Sequence, residues 1–306
     1  MREQELTSRY QWGNHWQYEV SRWALIVLNF SRREFTVESD RMLALAGVAR
    51  KVSEEMKRHE DIQDPGYIAG LWGFRLVGSL CWRTDGWHQA KRCAAKYIAP
   101  SWSWVSVFGL IDFPLYRDTD QLLVQVLSAE VERVGKDNVF GRVKQGKLVI
   151  RGPVFECVCV PGEDGRPVVE GVDGPEPEFP AFPAERWECE VAFDCLLATH
   201  TSKDGRRSTH RCVGADSCPL AKEKQNGHEV LPGTEKEQDG GSVRHNVPAR
   251  MMVLGRFLNS YHSLLLGEIP GTDGYQRIGS VMMEPLAGYS PEEDDALDAR
   301  ETVVIY

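Results

Sequence analysis

Tyr97-Ile-Ala-Pro-Ser-Trp-Ser-Trp-Val105 is the stretch on which the reading of this chain turns. Pro100 biases Ala99 toward extended backbone and has no N–H to give to a ladder. From Ser101 to Val105 small polar and large residues alternate with a period of two, which predicts an entering strand. On a strand Trp102 and Trp104 share a face, so one short segment delivers two large aromatic side chains to one place. Of the nine tryptophans only Trp187 lies beyond Trp104, so the segment marks a change of texture between two halves.

Upstream the pattern is helical. Val20, Trp23, Ile26, Val27 and Phe30 recur three or four apart, and Ser31 to Thr36 closes that helix. Ser39 or Asp40 is placed to cap a second helix with a face of Leu43, Ala46, Gly47, Val48, Val52 and Met56. Residues 67–82 are apolar nearly all round and read as a third, buried helix, with Gly70, Gly73 and Gly78 marking close approach of another backbone. Residues 1–18 read as an extended lead-in.

Downstream the pattern is β. Residues 105–113, 122–134, 148–160, 188–199, 251–257, 263–269 and 275–283 read as strands, and 138–150 as a hairpin turning at Gln145-Gly146. The proline- and glycine-dense run 161–183 reads as a loop. Residues 201–247 are polar and without Phe, Tyr or Trp, too poor in apolar surface to offset their ordering entropy. The expected fold class is therefore α+β: a mainly helical N-terminal third (1–104), an antiparallel β domain (105–290) with loops at 161–183 and a long disordered insertion at 201–247, and a solvated acidic tail (291–306) carrying Glu292, Glu293, Asp294 and Asp295.

Composition narrows the function classes. A net charge of -9 with no basic run argues against a grip on nucleic acid phosphates. The apolar run at 67–82 is interrupted by Arg75 and shorter than the ~20 residues of a membrane span. Eight cysteines behind a start that lacks a signal-peptide core read as reduced thiols of a cytoplasmic chain.

Few residues invite a chemical reading. His200, His210, Cys212 and Cys218 fall within one polar stretch, but His-x-Cys and Cys-x5-Cys match no common zinc spacing, and an incidental grouping is the simpler account. Cys157 and Cys159 alternate along a strand beside Phe155; core packing is the expected role, and a nucleophile would need a distant histidine. Trp72, Trp82, Trp87, Trp102 and Trp104 could line a groove, yet such sets more often pack a core. Gly141-Arg-Val-Lys-Gln-Gly146 lacks the lysine-hydroxyl ending and the strand-to-helix setting of a phosphate loop. No cofactor site is expected.

Five phrases carry a family resemblance. They are Trp23-Ala-Leu-Ile-Val-Leu-Asn-Phe-Ser-Arg-Arg-Glu-Phe-Thr36, Asp40-Arg-Met-Leu-Ala-Leu-Ala-Gly-Val-Ala49, Tyr67-Ile-Ala-Gly-Leu-Trp72, Leu80-Cys-Trp82 and Ala99-Pro-Ser-Trp-Ser-Trp104. In this order they resemble the fungal heterokaryon incompatibility (HET-domain) proteins, C-terminal to that family's effector module. Residues 139–152 and Tyr275-Gln-Arg-Ile-Gly279 are similar to its later β segment. The resemblance makes Trp23, Asp40, Gly47, Gly70, Trp72, Trp82, Pro100, Trp102 and Trp104 signature residues with a structural role. It implies non-self recognition and the cell death that follows fusion of unlike fungal cells, with another HET-family protein as partner. The effector module would precede Trp23, where this sequence has 22 residues, so the family's activity is expected to lie outside it. The alternatives are a decoy that binds a HET protein in trans and a hydrolase using Cys157 or Cys159.

Overall fold

The computed structural model describes residues 15–60, 62–84, 92–94, 96–114, 121–135, 138–163, 166–172, 180–194, 197–201, 207–211, 229–230, 246–257, 260–269, 271–290, 297 and 300–306. Helix α1 (His15–Ser31) buries Val20, Trp23, Ala24, Val27, Leu28 and Phe30 on one face, as their spacing predicts. It ends where the Ser31 hydroxyl donates to the Leu28 carbonyl and accepts the Ile111 N–H. Helix α2 (Arg41–Met56) is rotated from the expected face: Met42, Leu45, Ala49, Val52 and Met56 are buried, while Leu43, Gly47 and Val48 face outward. Asp40 stands at its N-cap position but makes no cap hydrogen bond; its carboxylate pairs with Arg142 instead.

A mainly helical first third is not supported as expected, because its third helix is broken into shorter pieces. Residues 67–82, expected as one helix, form a hairpin of β1 (Tyr67–Ile68) and β2 (Leu71–Trp72), a 3-10 turn and the short helix α3 (Leu76–Leu80). The hairpin turns at Ala69 and Gly70 with φ of 47° and 94°, and all-round apolarity alone cannot tell a buried helix from such folded-back pieces. Two further short ladders follow: β3 (Arg83–Thr84) with β6 (Ile111–Asp112), and β4 (Arg92–Cys93) with β5 (Val107–Phe108). The expected strand at 101–105 is a turn leading into a 3-10 helix at Trp104–Ser106. There the Ser103 hydroxyl accepts the Val105 N–H, a local bond that competes with a ladder.

The second half is built on a ten-stranded sheet. Its strands are β7 (Gln121–Leu122), β8 (Gln125–Arg133), β9 (Val143–Gly152), β10 (Val154–Pro161), β11 (Pro167–Gly171), β12 (Trp187–Phe193), β16 (Val247–Phe257), β17 (Ser260–Glu268), β18 (Tyr275–Pro285) and β19 (Glu301–Ile305). Between them, β13 (Leu197–Thr201) pairs with β14 (Arg207–Arg211) and β15 (Glu229–Val230). The main order is β11-β10-β16-β17-β18-β19-β9-β8, with β12 added to β18 and β7 to β16. All ladders of this sheet are antiparallel except β18 with β19. Because β9 runs into β10 through the Gly152-Pro153 bend, the pairing path from β10 to β9 returns to where it began, and the sheet coils strongly.

Four expectations change here. Gln145-Gly146 is no turn but lies inside β9, opposite Glu132 and Val131. Residues 167–171 of the expected loop pair with β10, and residues 301–305 of the expected tail form β19 between β9 and β18. Residues 207–211 and 229–230 of the expected insertion are strands too; 202–206, 212–228, 231–245 and 291–296 lie outside the described residues, as do 1–14.

The sheet separates two apolar clusters. One joins Leu148, Ile150, Met252, Leu254, Leu264, Leu266, Val303 and Ile305 to the helices and tryptophans of the first third. The other gathers Phe155, Cys157, Cys159, Met251, Val253, Leu265, Val281 and Met283 beneath Trp187 and Phe182. The core under the tryptophans is thus shared by both halves of the sequence.

Candidate functional site

The junction is assembled around two carbonyl groups of the Ala69-Gly70 turn. The Gly70 carbonyl accepts the indole N–H of Trp104 at 2.9 Å and of Trp23 at 3.2 Å; the Ala69 carbonyl accepts the Ser103 hydroxyl at 2.5 Å. A Cβ on Gly70 would lie 2.9 Å from both Trp104 Nε1 and Val105 Cγ2, so the approach needs glycine. Trp82 donates to the Trp102 carbonyl at 2.9 Å. Trp23, Tyr67 and Trp72 meet edge to face, with centroids 5.2 to 6.0 Å apart. Pro100 and Trp102 press on β9, where a Cβ on Gly146 would come within 2.2 Å of Pro100 Cγ and 3.1 Å of Trp102 Cζ2. That is the reason for glycine at 146.

The structure therefore gathers Trp23, Gly70, Trp72, Trp82, Pro100, Trp102 and Trp104 in one place. Asp40 and Gly47 are elsewhere: Asp40 is half exposed with Arg142, and Gly47 faces outward with no atom within 4 Å of where its Cβ would be. The five tryptophans here are buried, so they line no groove; Trp87 is outside the described residues.

Beside the tryptophans lies a buried ionic cluster that the sequence reading did not single out. Asp194 is fully buried and accepts Arg277 Nε at 2.9 Å and Arg211 Nη2 at 2.8 Å. Arg277 also donates to the Leu80 carbonyl at 2.7 Å and to the Trp82 carbonyl, and its guanidinium stacks 3.4 Å from the Trp82 ring centroid. Arg211 donates to the Ser106 hydroxyl at 2.7 Å, the Ser101 carbonyl at 2.8 Å and the Arg277 carbonyl. The Ser101 hydroxyl accepts the Arg277 N–H and donates to the Tyr306 carbonyl. One carboxylate thus faces two guanidinium groups. Burial lowers the pKa of both arginines, Arg211 to about 10, while Asp194 works against that shift. With these donors engaged, the cluster fastens α3, the Ser101–Ser106 turn, β14, β18 and the chain terminus to one another.

Arg41, one residue past Asp40, is a further buried cation. It donates to the Val107 carbonyl and lies 4.7 Å from the Phe108 centroid and 5.1 Å from that of Trp104. A signal for two of the three missed arginines stood in the phrases already quoted: Arg41 follows Asp40, and Arg277 sits inside Tyr275-Gln-Arg-Ile-Gly279, each a charge at the start of an apolar run.

The remaining candidates do not converge. Cys157 and Cys159 are buried in the second cluster. The Cys159 hydrogen bond and burial push the Cys157 thiol well up, and burial pushes Cys189 to about 12, so these two are held as thiols and not as nucleophilic thiolates. Backbone pairing sets His200 opposite Ser208 and His210 opposite Ala198 on one hairpin; Cys212 and Cys218 lie outside the described residues. Among the described residues no group of three or more His, Cys, Asp or Glu is arranged to hold a metal ion, and no helix is long and apolar enough to cross a membrane. An apolar seam lined by Phe155, Phe182, Trp187, Tyr289 and Leu297 leaves no space for a water molecule. The chain matches no family model, no curated protein and no solved structure.

Proposed function

We propose that this chain is a recognition and regulatory region of the heterokaryon incompatibility type, cytoplasmic and without a catalytic site of its own. It would act in fungal non-self recognition by engaging another protein of that family, whose effector module supplies the activity. One observation carries the reading. Seven of the nine residues on which the resemblance rests meet at a single buried junction, three of them at the Gly70 carbonyl. Residues that a family keeps for a shared scaffold would cluster in this way, whereas residues kept for turnover would open onto a cleft. The finer division into a Trp-rich 1–104 region and a β domain belongs to the same proposal.

The test is a binding and viability experiment. Purified chain is expected to bind a full-length HET-family protein, and its expression in a fungal host carrying that protein to change the frequency of cell death after fusion. Absence of both effects would sink the proposal, as would turnover of a nucleotide or peptide by the purified chain that a point substitution abolishes. A decoy that restrains its partner predicts fewer deaths and an activating region predicts more. The burial of Cys157 and Cys159 in the second apolar cluster, with the Cys157 thiol pushed up, speaks against the cysteine hydrolase alternative.

A further inference from the structure

The solvent side of α2 carries apolar residues where an amphipathic helix ordinarily carries charge. Its buried side is Met42, Leu45, Ala49, Val52 and Met56. On the opposite side, at intervals of three and four, lie Asp40, Leu43, Ala44, Gly47, Val48 and Lys51. Leu43 and Val48 are each 42% exposed, and Ala44 and Gly47 are exposed between them. Nothing within one copy calls for glycine at 47. Its backbone is helical, a Cβ there would meet no atom within 4 Å, and glycine weakens a helix interior relative to alanine. What glycine leaves there is room for another backbone to come close.

The stripe is complementary to itself. Laid antiparallel on a second copy, with the two-fold axis midway between Leu45 and Ala46, it sets Leu43 on Val48, Ala44 on Gly47 and Asp40 on Lys51, each pair twice. The small residues fall at the crossing, where the helix axes come nearest, and opposite charges close both ends. Asp40 and Lys51 have partners within the chain, Arg142 for the first and Glu54 and Glu55 for the second. Their side chains are nevertheless 51% and 57% exposed, which leaves each free to make a further bond. A uniformly acidic or basic partner would be repelled at one end of the stripe; a reversed copy is matched at both. The antiparallel setting also opposes the two helix dipoles. We propose that this face is the contact between two copies of the chain, a two-fold antiparallel pairing of α2 with α2. One helix pair is small beside the interfaces of permanent dimers, so the association is reversible, with a Kd on the order of 10–100 µM. The inference stands apart from the incompatibility reading.

The test is sedimentation equilibrium of the full chain from about 1 to about 500 µM in ~0.15 M salt, which screens the repulsion between two chains of net charge -9. A reversible monomer–dimer equilibrium is expected. V48E buries a charge against Leu43 of the second copy and should weaken the dimer by about 10-fold or more. D40K and K51D each set like charges against one another at both ends and should weaken it by about 3–10-fold. D40K/K51D exchanges the two charges and should return the dimer to within about 3-fold of wild type. All three positions are solvent-facing, so each variant should keep the wild-type far-ultraviolet dichroism. A chain that stays monomeric throughout the range, or a dimer indifferent to V48E, overturns the proposal. So does a double exchange that fails to restore what the single ones lose, or single exchanges without effect.

Discussion

Two glycines of the same sequence signature should respond to alanine with opposite signs. Gly70 has a φ of 94° and touches Trp104 and Val105, so Gly70→Ala combines left-handed strain with a clash and should cost about 2–4 kcal/mol. Gly47 lies in the exposed interior of α2 with open space around it, so Gly47→Ala should stabilise by about 0.5–1 kcal/mol. Urea titrations of the two variants measure both. His262 gives a pH-dependent counterpart. Burial first, and Arg83 second, lower its pKa from 6.5 to about 4. The unfolded chain therefore binds the proton more readily, so this residue's contribution is full above pH 6.5 and is lost as pH falls toward 4. The loss should be roughly 3 kcal/mol at its limit, and His262→Gln should flatten the stability profile between those pH values. At this scale the sequence was legible where a residue type admits few explanations, as with the tryptophans. It was not legible for Arg277 and Asp194, separated by 83 positions, because nothing local announces that a charge will be buried with a partner so distant.

At the scale of elements, the sequence pattern served where a run forms one continuous element and failed where the chain folds back on itself. Helix α1 and strands β16, β17 and β18 each show a sustained pattern and stand close to where that pattern puts them. The 67–82 run and the Ser-Trp-Ser-Trp alternation imitate single regular elements, yet both fold back among apolar neighbours, held by side-chain bonds to backbone that no period encodes. Strand β19 was hidden for another reason: five residues after an acidic run look solvated until a slot between two strands is known. Val303 and Ile305 are buried in that slot, and the Tyr306 carbonyl accepts the Ser101 N–H at 3.0 Å. Removing residues 301–306 should accordingly abolish the cooperative urea transition and raise the binding of a hydrophobic dye, although the deleted piece is short. A truncated chain that melts as the full one does would contradict this.

For the whole molecule, the shared core and the ionic cluster imply that the two halves fold as one unit. Tryptophan-dominated near-ultraviolet dichroism, which reports the first half, and far-ultraviolet dichroism, dominated by the sheet, should lose their signals in one coincident transition. Asp194→Asn keeps the shape of the cluster but strips the charge that two buried guanidinium groups require, and should cost about 3–5 kcal/mol. Its effect should shift both spectroscopic transitions together, because the residue fastens segments from either side of the junction.

The place of β19 also sets a schedule. Of the strands in the large sheet it is the last to be synthesised, and its register partners on β9 lie 149 to 157 positions behind it, from Gly152 with Glu301 to Leu148 with Ile305. While the ribosome is still translating, the edge of β9 that β19 will cover stays open to any neighbouring nascent chain. Ser101, made two-thirds of a chain earlier, waits for Tyr306 before its amide is satisfied. The β9 edge is therefore closed only after every other strand of the sheet has been made.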